Sequence, residues 1–192
     1  PTRRLFVGPI PTATAVRAGQ PARRSALMCA ARCASYRSST TASAVSAVPA
    51  HDEAAVIGET LRSLTEALGA DMRVLVVADN CAVSTASIAR AAGAEVIERR
   101  DLERRGKGFA LAFAADHLRP DPPDIFVVMD ADCSTDAKSL QALVDAAHAS
   151  GGPVQSVNLL RPDRSAPPLV QLSNFAFVLK NLVRQRGLQR LA

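Results

Sequence analysis

Acidic residues follow short apolar runs at three places in this chain, and carboxylates are the groups with which proteins bind hard divalent cations. The three places are Asp52 and Glu53 after residues 45–49, Asp79 after residues 74–78, and Asp130-Ala131-Asp132 after residues 125–129. If the runs are parallel strands of one sheet, the acids lie along one edge, because ligands of open α/β sheets bind outside the carboxyl ends of the strands. Acids gathered there predict a Mg²⁺ or Mn²⁺ ion together with a phosphate-bearing ligand.

The segment Asp130-Ala131-Asp132 has two carboxylates separated by one small residue, just where an apolar run ends. A chain that leaves a strand at this point can turn both carboxylates toward the same open space, where they could hold a cation through oxygen ligands. The alternative is a solvated turn whose acids help to cap the following helix. The residues alone leave both interpretations open.

Two further segments follow predicted strands. In the first, Pro49 ends the strand because proline cannot donate to a ladder, and Ala50, His51 and Glu53 follow it. They could form a pocket floor on which the His51 ring packs against a nucleotide base, or the acids could simply favour a helix N-terminus. In the second segment, Asp79 could accept a hydrogen bond from a base N–H, or it could belong to an ordinary turn.

A basic segment at residues 104–108 precedes a predicted helix. The helix N-terminal amides could face an anion, and Lys107 would add a point charge on a phosphate group. The segment is not a P-loop, because Asp101 lies where that motif needs glycine. A solvated basic loop is the alternative interpretation.

The elements that would position these residues alternate between strand and helix. Apolar runs and periodicity predict strands at 45–49, 73–78, 95–98, 125–129 and 154–159, and helices at about 53–68, 84–92, 108–118, 136–149 and 170–186. Such alternation predicts an α/β fold, a Rossmann-like and mostly parallel sheet with helices on both faces. We expect the helix at 108–118 to be buried and the helix after it to be capped by Ser134 or Thr135. We expect the apolar face of the last helix to pack on the core, with a missing C-terminal half or lipid as the alternatives.

Residues 1–44 contain seven arginines and no acid, which predicts a basic, disordered leader ahead of a domain at 45–192. The other residues hold 16 basic side chains against all 18 acidic ones, so nucleic-acid binding is not expected. Cys29, Cys33, Cys81 and Cys133 lack the spacing of a zinc site and predict free thiols in a reducing, cytoplasmic compartment. No apolar run is long enough to span a membrane.

Together, these motifs resemble family 2 glycosyltransferases of the GT-A fold, and most closely the bacterial branch linked to exopolysaccharide synthesis. The resemblance is carried by residues 44–64, 73–114 and 123–133. It implies a donor-binding half that takes a nucleotide-sugar, UDP-linked, with Mg²⁺ or Mn²⁺. The residues it implies for that site are Pro49, Ala50, His51, Glu53 and Asp79 in the nucleotide pocket, Lys107 near the donor, and Asp130, Ala131 and Asp132 as the D-x-D motif with both acids on the metal.

The resemblance also implies sugar transfer with inversion to a glycan or lipid-linked acceptor. The catalytic base of that reaction belongs to an acceptor-binding half that this sequence does not show, so we expect the domain to be incomplete at its C-terminus, with membrane contact only through parts absent here. The full-length parent would work at the cytoplasmic face of the membrane. Two alternatives remain, a non-catalytic nucleotide-binding fragment and a D-x-D phosphatase of the haloacid dehalogenase type with Asp130 as nucleophile. The phosphatase pattern fits less well, since Ser134 stands where that family has Thr or Val.

Overall fold

The central sheet is built from four of the predicted strands. The computed structural model describes residues 5–7, 42–69, 72–82, 84–160 and 165–191. Strands β2 (Ala44–Ala50), β3 (Met72–Asp79), β4 (Glu95–Arg99) and β5 (Ile125–Val128) are all parallel and lie in the order β4-β3-β2-β5. The carboxyl ends of β3, β2 and β5 therefore lie side by side at one edge, as the sequence predicts.

Helices cover both faces of this sheet. They are α1 (Ile57–Ala67), α2 (Thr85–Ala91), α3 (Lys107–His117) and α4 (Ala137–Ser150). Alternate side chains of each strand point to opposite faces, so Val48 and Val76 pack in one core cluster with α1 and α4, whereas Val45 and Leu75 pack in a second cluster with α3. The predicted α/β class, a mostly parallel sheet with helices on both faces, is confirmed.

The described residues also form a second, smaller sheet, in the order β6-β1-β7. Its strands are β1 (Leu5–Val7), β6 (Cys133–Thr135) and β7 (Asn158–Leu160), with β1 parallel to β6 and antiparallel to β7. The predicted strands do not include β1 or β6, and β7 lies at Asn158–Leu160 rather than at 154–159. These strands are only three residues long, too short for a periodic signal. The other residues of the predicted leader up to position 41 lie outside the described residues.

Several helix predictions need correction. Helix α3 is not buried all round: Ala110 and Ala114 face the sheet, while Phe109 is 45% exposed. Small alanines on one side let the helix approach the strands closely, and the larger side chains remain outside. Helix α1 begins at Ile57 rather than near 53, because a turn closes first through the Glu53 carbonyl, which accepts hydrogen bonds from the backbone N–H of Val56 and Ile57.

The last helical segment also differs from its prediction. It comprises α5 (Pro168–Val178), a π-helical stretch (Leu179–Val183) and α6 (Arg184–Leu191). No residue of α5 or of the π-helical stretch is buried, so the predicted packing on the core is wrong for them. An amphipathic pattern identifies a helix face that favours burial, but it does not show whether another element packs against that face. Within the described residues, no helix is both long and apolar enough to cross a lipid bilayer.

The N-cap of α4 is Asp136, not Ser134 or Thr135, because those two residues belong to β6. The Asp136 carboxylate accepts hydrogen bonds from the Ser139 backbone N–H at 2.9 Å and from the Ser139 hydroxyl at 2.8 Å. The backbone hydrogen bond from Ser139, followed by the hydroxyl hydrogen bond, holds the pKa of Asp136 below its ordinary value of 3.8. The cap therefore stabilises the ionised form in the folded state.

Replacing Asp136 by alanine is expected to lower the free energy of unfolding by about 1 kcal/mol near neutral pH, since an N-cap acceptor is lost. Because the folded pKa is depressed, this stabilisation is present above the ordinary value of 3.8 and is lost as the pH falls below it. Urea unfolding of the unchanged protein and of Asp136→Ala, at about pH 7 and about pH 3, should show that the difference between their free energies of unfolding is smaller at about pH 3. Asp136→Asn keeps the acceptor without a titrating group, so its difference from Asp136→Ala should not vary with pH. An Asp136→Ala deficit of equal size at both pH values would contradict the prediction.

Candidate functional site

The Asp130-Ala131-Asp132 segment forms a tight turn directly after β5. The Met129 N–H donates to the Ala47 carbonyl at 3.1 Å, and the Cys133 N–H donates back to the Asp130 carbonyl at 3.1 Å. Ala131 is buried, whereas Asp130 and Asp132 on either side of it are partly exposed. A small residue in the core thus anchors the turn and leaves both carboxylates outside.

Side chains of helix α1 hold this turn through hydrogen bonds to its backbone. The Thr60 hydroxyl donates a hydrogen bond to the Ala131 carbonyl at 2.6 Å, and this contact is buried. One helical turn further on, the Ser63 hydroxyl donates to the Thr135 carbonyl at 2.9 Å. Both contacts tie the backbone on either side of Asp132 to a helix that is packed in the core.

Asp130, Asp132 and Cys133 each offer one ligand atom, and these atoms all lie within 4.8 Å of one another. Burial, together with the charges of Asp132 and Asp130, raises the pKa of Cys133 to about 12, so the thiol is neutral and donates toward an Asp132 oxygen at 3.8 Å. Two neighbouring carboxylates with a protonated thiol form a hard oxygen site. The donor set therefore fits Mg²⁺ or Mn²⁺ better than a metal that prefers thiolate.

Lys107 lies at the same site. It is the first residue of α3, and its ammonium group forms an ion pair with Asp130 Oδ1. Gly106 precedes it with φ of 108°, a backbone conformation that glycine adopts at no steric cost. The structure thus brings together the basic loop and the acidic turn, which are 23 residues apart in sequence.

The exits of β2 and β3 are joined by a second group of contacts. His51 Nδ1 lies 2.7 Å from the Asp79 carbonyl oxygen, and Asp52 Oδ1 accepts a hydrogen bond from the Ala82 N–H at 2.7 Å. The Ala50 carbonyl lies 3.4 Å from the thiol of Cys81. These contacts join residues 50–52 to residues 79–82 at the sheet edge. The strand does not end at Pro49, as predicted, but continues to Ala50, with Pro49 paired to Val77 in the ladder. Glu53 is partly buried.

Asp79 is part of a buried charge network. Its Oδ1 accepts hydrogen bonds from Arg99 Nη1 at 2.7 Å and from the Asn80 side chain at 3.1 Å. The Arg99 and Asp79 side chains are only 9% and 8% exposed. Arg99 Nη2 also reaches Asp101 Oδ2 at 3.0 Å and the Arg104 carbonyl at 2.7 Å. One carboxylate oxygen of Asp79 is thus already engaged inside the protein.

The predicted site residues fall at one edge of the sheet, the carboxyl end of β3, β2 and β5. Contacts join positions 50–52 to 79–82 at the exits of β2 and β3, and Lys107 to Asp130 at the exit of β5. Sequence reasoning missed Thr60 and Arg99. The only signal for Arg99 is a basic residue directly after the predicted strand at 95–98. Thr60 gave no signal, because it lies on an ordinary amphipathic helix.

A family model described as "Glycosyl transferase family 2" matches residues 47–183, well over half of the chain. Among curated proteins, none matches this chain. Solved structures that resemble it include the mannosyltransferase PcManGT from Pyrobaculum calidifontis in complex with GDP-Man and Mn²⁺. That match has 28% identity and a TM-score of 0.47, and it covers 55% of this chain and 32% of the other.

A second similar structure is glucosyl-3-phosphoglycerate synthase from Mycobacterium tuberculosis in complex with Mn²⁺, UDP and glucosyl-3-phosphoglycerate. It has 27% identity and a TM-score of 0.40, with 47% of this chain and 33% of the other covered. The chain thus spans about a third of the length of both solved structures.

Proposed function

The chain belongs to glycosyltransferase family 2, and on that premise we propose that its sheet edge is a donor site that binds a UDP-linked nucleotide-sugar together with Mg²⁺ or Mn²⁺. The observation that supports this most directly is the convergence of Asp130, Asp132 and Lys107 at the end of β5. Two carboxylates and one ammonium group at the same place are suited to a divalent cation and a diphosphate bound side by side.

The nucleotide would lie across the exits of β2 and β3. In this proposal Pro49, Ala50, His51, Glu53 and Asp79 line its pocket. The His51 ring is held by the Asp79 carbonyl and presents a flat surface for a base. Ala50 is buried and small, which leaves room for the base to approach the backbone.

The charges at the diphosphate end need a cation to balance them. Asp130 and Asp132 would repel the diphosphate of the donor, because like charges close together are unfavourable. When bound, Mg²⁺ or Mn²⁺ supplies positive charge to the departing diphosphate. Lys107 would add a second positive charge at the N-terminus of α3, where the free backbone N–H groups also favour an anion.

The finer parts of the proposal rest on the motif resemblance. They are transfer with inversion at the anomeric carbon, a glycan or lipid-linked acceptor, and a role in exopolysaccharide or glycoconjugate synthesis. A carboxylate base would take the proton of the acceptor hydroxyl. The phosphatase alternative loses support, because residues 47–183 match a glycosyltransferase family.

Replacing Lys107 by alanine tests the diphosphate end of the site. The free energy of UDP binding in the presence of Mn²⁺ should become less favourable by about 1.5–3 kcal/mol, the range for losing a hydrogen bond to a charged group. The affinity for Mn²⁺ alone should not fall, because Lys107 is paired with Asp130 and its positive charge opposes a cation there. Isothermal titration calorimetry measures both affinities.

Lys138→Ala is a matched control, since Lys138 is an exposed lysine in the first turn of α4. It should bind UDP and Mn²⁺ like the unchanged protein. Unchanged UDP affinity in Lys107→Ala would remove Lys107 from the site. Failure of the unchanged protein to bind UDP with Mn²⁺, or a preference for GDP, would overturn the UDP-linked donor.

A further inference from the structure

Lys107 is placed at Asp130 by a loop that has almost no apolar anchor. Residues 100–106 connect β4 to α3, and Asp101 is the only one of them that is not exposed. The one large apolar side chain in the loop, Leu102, is 70% exposed. Burial therefore contributes little to the position of this loop, and hydrogen bonds must hold it.

Asn80 supplies the first set of hydrogen bonds. Its backbone N–H donates to the Arg99 carbonyl at 2.8 Å. Its side-chain amide donates to the Asp101 carbonyl at 3.0 Å and accepts from the Asp101 N–H at 2.8 Å. The carboxamide thus substitutes for a strand backbone and extends the β3–β4 pairing beyond its last residues, Asp79 and Arg99. Asn80 adopts φ of 53°, a conformation that asparagine tolerates better than most residues.

Arg99 supplies the second set. Its guanidinium donates to Asp79 at the end of β3, to Asp101 at the start of the loop and to the Arg104 carbonyl near its end. It also lies 5.8 Å from the centre of the Phe109 ring in the first turn of α3. One buried side chain therefore contacts the strand, both ends of the loop and the helix that begins with Lys107.

Asp101 closes the loop on itself. Its Oδ1 accepts hydrogen bonds from the Arg104 N–H at 2.9 Å and the Glu103 N–H at 3.1 Å, and its Oδ2 accepts one from Arg104 Nε at 3.0 Å. The carboxylate held by Arg99 is thus also the centre of the turn at 101–104. Movement of Arg99 would release this turn as a unit.

We propose that Arg99 and Asn80 are positioning residues that set the place of Lys107 relative to Asp130 and Asp132, and through it the affinity of the site for a diphosphate. The proposal rests on the donor site described under the proposed function. Neither residue needs to touch the ligand. Both act through the loop, which carries their hydrogen bonds to the first residue of α3.

The substitution Arg99→Lys separates this role from the role in the buried ion pair. Lysine keeps a positive charge for Asp79, but its compact ammonium group lacks the planar fork that reaches three acceptors in different directions. Asn80→Gly is the second variant. Glycine adopts positive φ without cost, so the change removes mainly the carboxamide that holds Asp101.

A double-mutant cycle with Lys107→Ala tests the proposal, with UDP and Mn²⁺ as the ligands in calorimetric titrations. Arg99→Lys and Asn80→Gly should each weaken UDP binding about 5- to 20-fold in the otherwise unchanged protein. In the Lys107→Ala background the same changes should have almost no further effect, because the group they position is gone. A purely structural role would give the same loss in both backgrounds. Arg90→Lys is the matched control, since Arg90 pairs with Glu98 of β4 in an exposed ion pair.

The outcomes are distinguishable. If the unchanged protein binds UDP with Mn²⁺ but both variants bind it equally well, or if their losses persist without Lys107, the positioning role is wrong while the donor site stands. If the unchanged protein does not bind UDP with Mn²⁺, the donor site fails and this inference fails with it. Thermal melting of Arg99→Lys and Asn80→Gly shows whether each variant folds. If one of them does not fold, the UDP affinity of the other tests the positioning role.

Discussion

Replacing Asp132 by asparagine is expected to abolish the stabilisation that Mn²⁺ and UDP together give to this chain. A ligand at about 100 times its dissociation constant stabilises the native state by about 2.7 kcal/mol, and the melting temperature rises accordingly. Asparagine keeps the size of the side chain and one oxygen but removes the negative charge that a divalent cation requires. Thermal melting with and without Mn²⁺ and UDP measures the effect.

Asp145→Asn is the control for this experiment. Asp145 lies on the exposed side of α4, where its Oδ1 accepts a hydrogen bond from the Gln141 side chain at 2.8 Å. This variant should retain the full rise in melting temperature. An equal rise in Asp132→Asn would show that Asp132 does not hold the metal, and the donor-site proposal would then lose its main support.

The largest effect on stability is expected from Arg99→Met. Methionine fills a similar space but leaves the carboxylate of Asp79, only 8% exposed, without its positive partner. Removing one member of a buried ion pair costs about 3–5 kcal/mol, because an uncompensated charge remains in the interior. Urea unfolding should therefore show a large decrease in the free energy of unfolding.

Two comparisons make this prediction specific. Arg90→Met breaks the Arg90–Glu98 pair, whose side chains are 52% and 49% exposed, and should cost about 1 kcal/mol or less. The double change Asp79→Leu with Arg99→Met removes both charges and should be less destabilised than Arg99→Met alone. If the single change costs no more than Arg90→Met, the pair does not behave as a buried one.

The strands of the central sheet could be predicted from the sequence to within a residue or two. Strands β2 and β3 are near-continuous apolar runs, which is the pattern of a strand that is covered on both faces. Helix α1 was equally clear from Ile57, Leu61 and Leu64, which recur on one face and are all buried. These elements can be predicted from neighbouring residues alone, because the apolar periodicity within each segment indicates which of its side chains are buried.

Strands β1 and β6 could not be predicted in this way. They exist through pairing between Leu5–Val7 and Cys133–Thr135, segments far apart in the chain. Three residues are too few to show a period. For the same reason, the exposure of α5 could not be inferred from its apolar residues, because exposure depends on which other segments lie against it.

For the site, the residue types and their position after the strands were enough to predict which acids and which lysine share an edge. The alternation of strands and helices requires parallel pairing, and parallel pairing places all strand exits together. The side-chain partners were not encoded locally. Lys107 could have faced solvent, and only folding of the loop at residues 100–106 brought its ammonium group onto Asp130.

The amino-acid sequence by itself determined the α/β layout, the order of the motifs and the edge at which Asp79, Asp130 and Asp132 emerge. Only the tertiary structure decided that Asp79 is paired with Arg99, that Thr60 holds the turn at Ala131, and that Cys133 is buried beside two carboxylates. The physical reason is that periodicity is a property of neighbouring residues, whereas an ion pair or a buried hydrogen bond depends on two distant residues meeting in a shared environment.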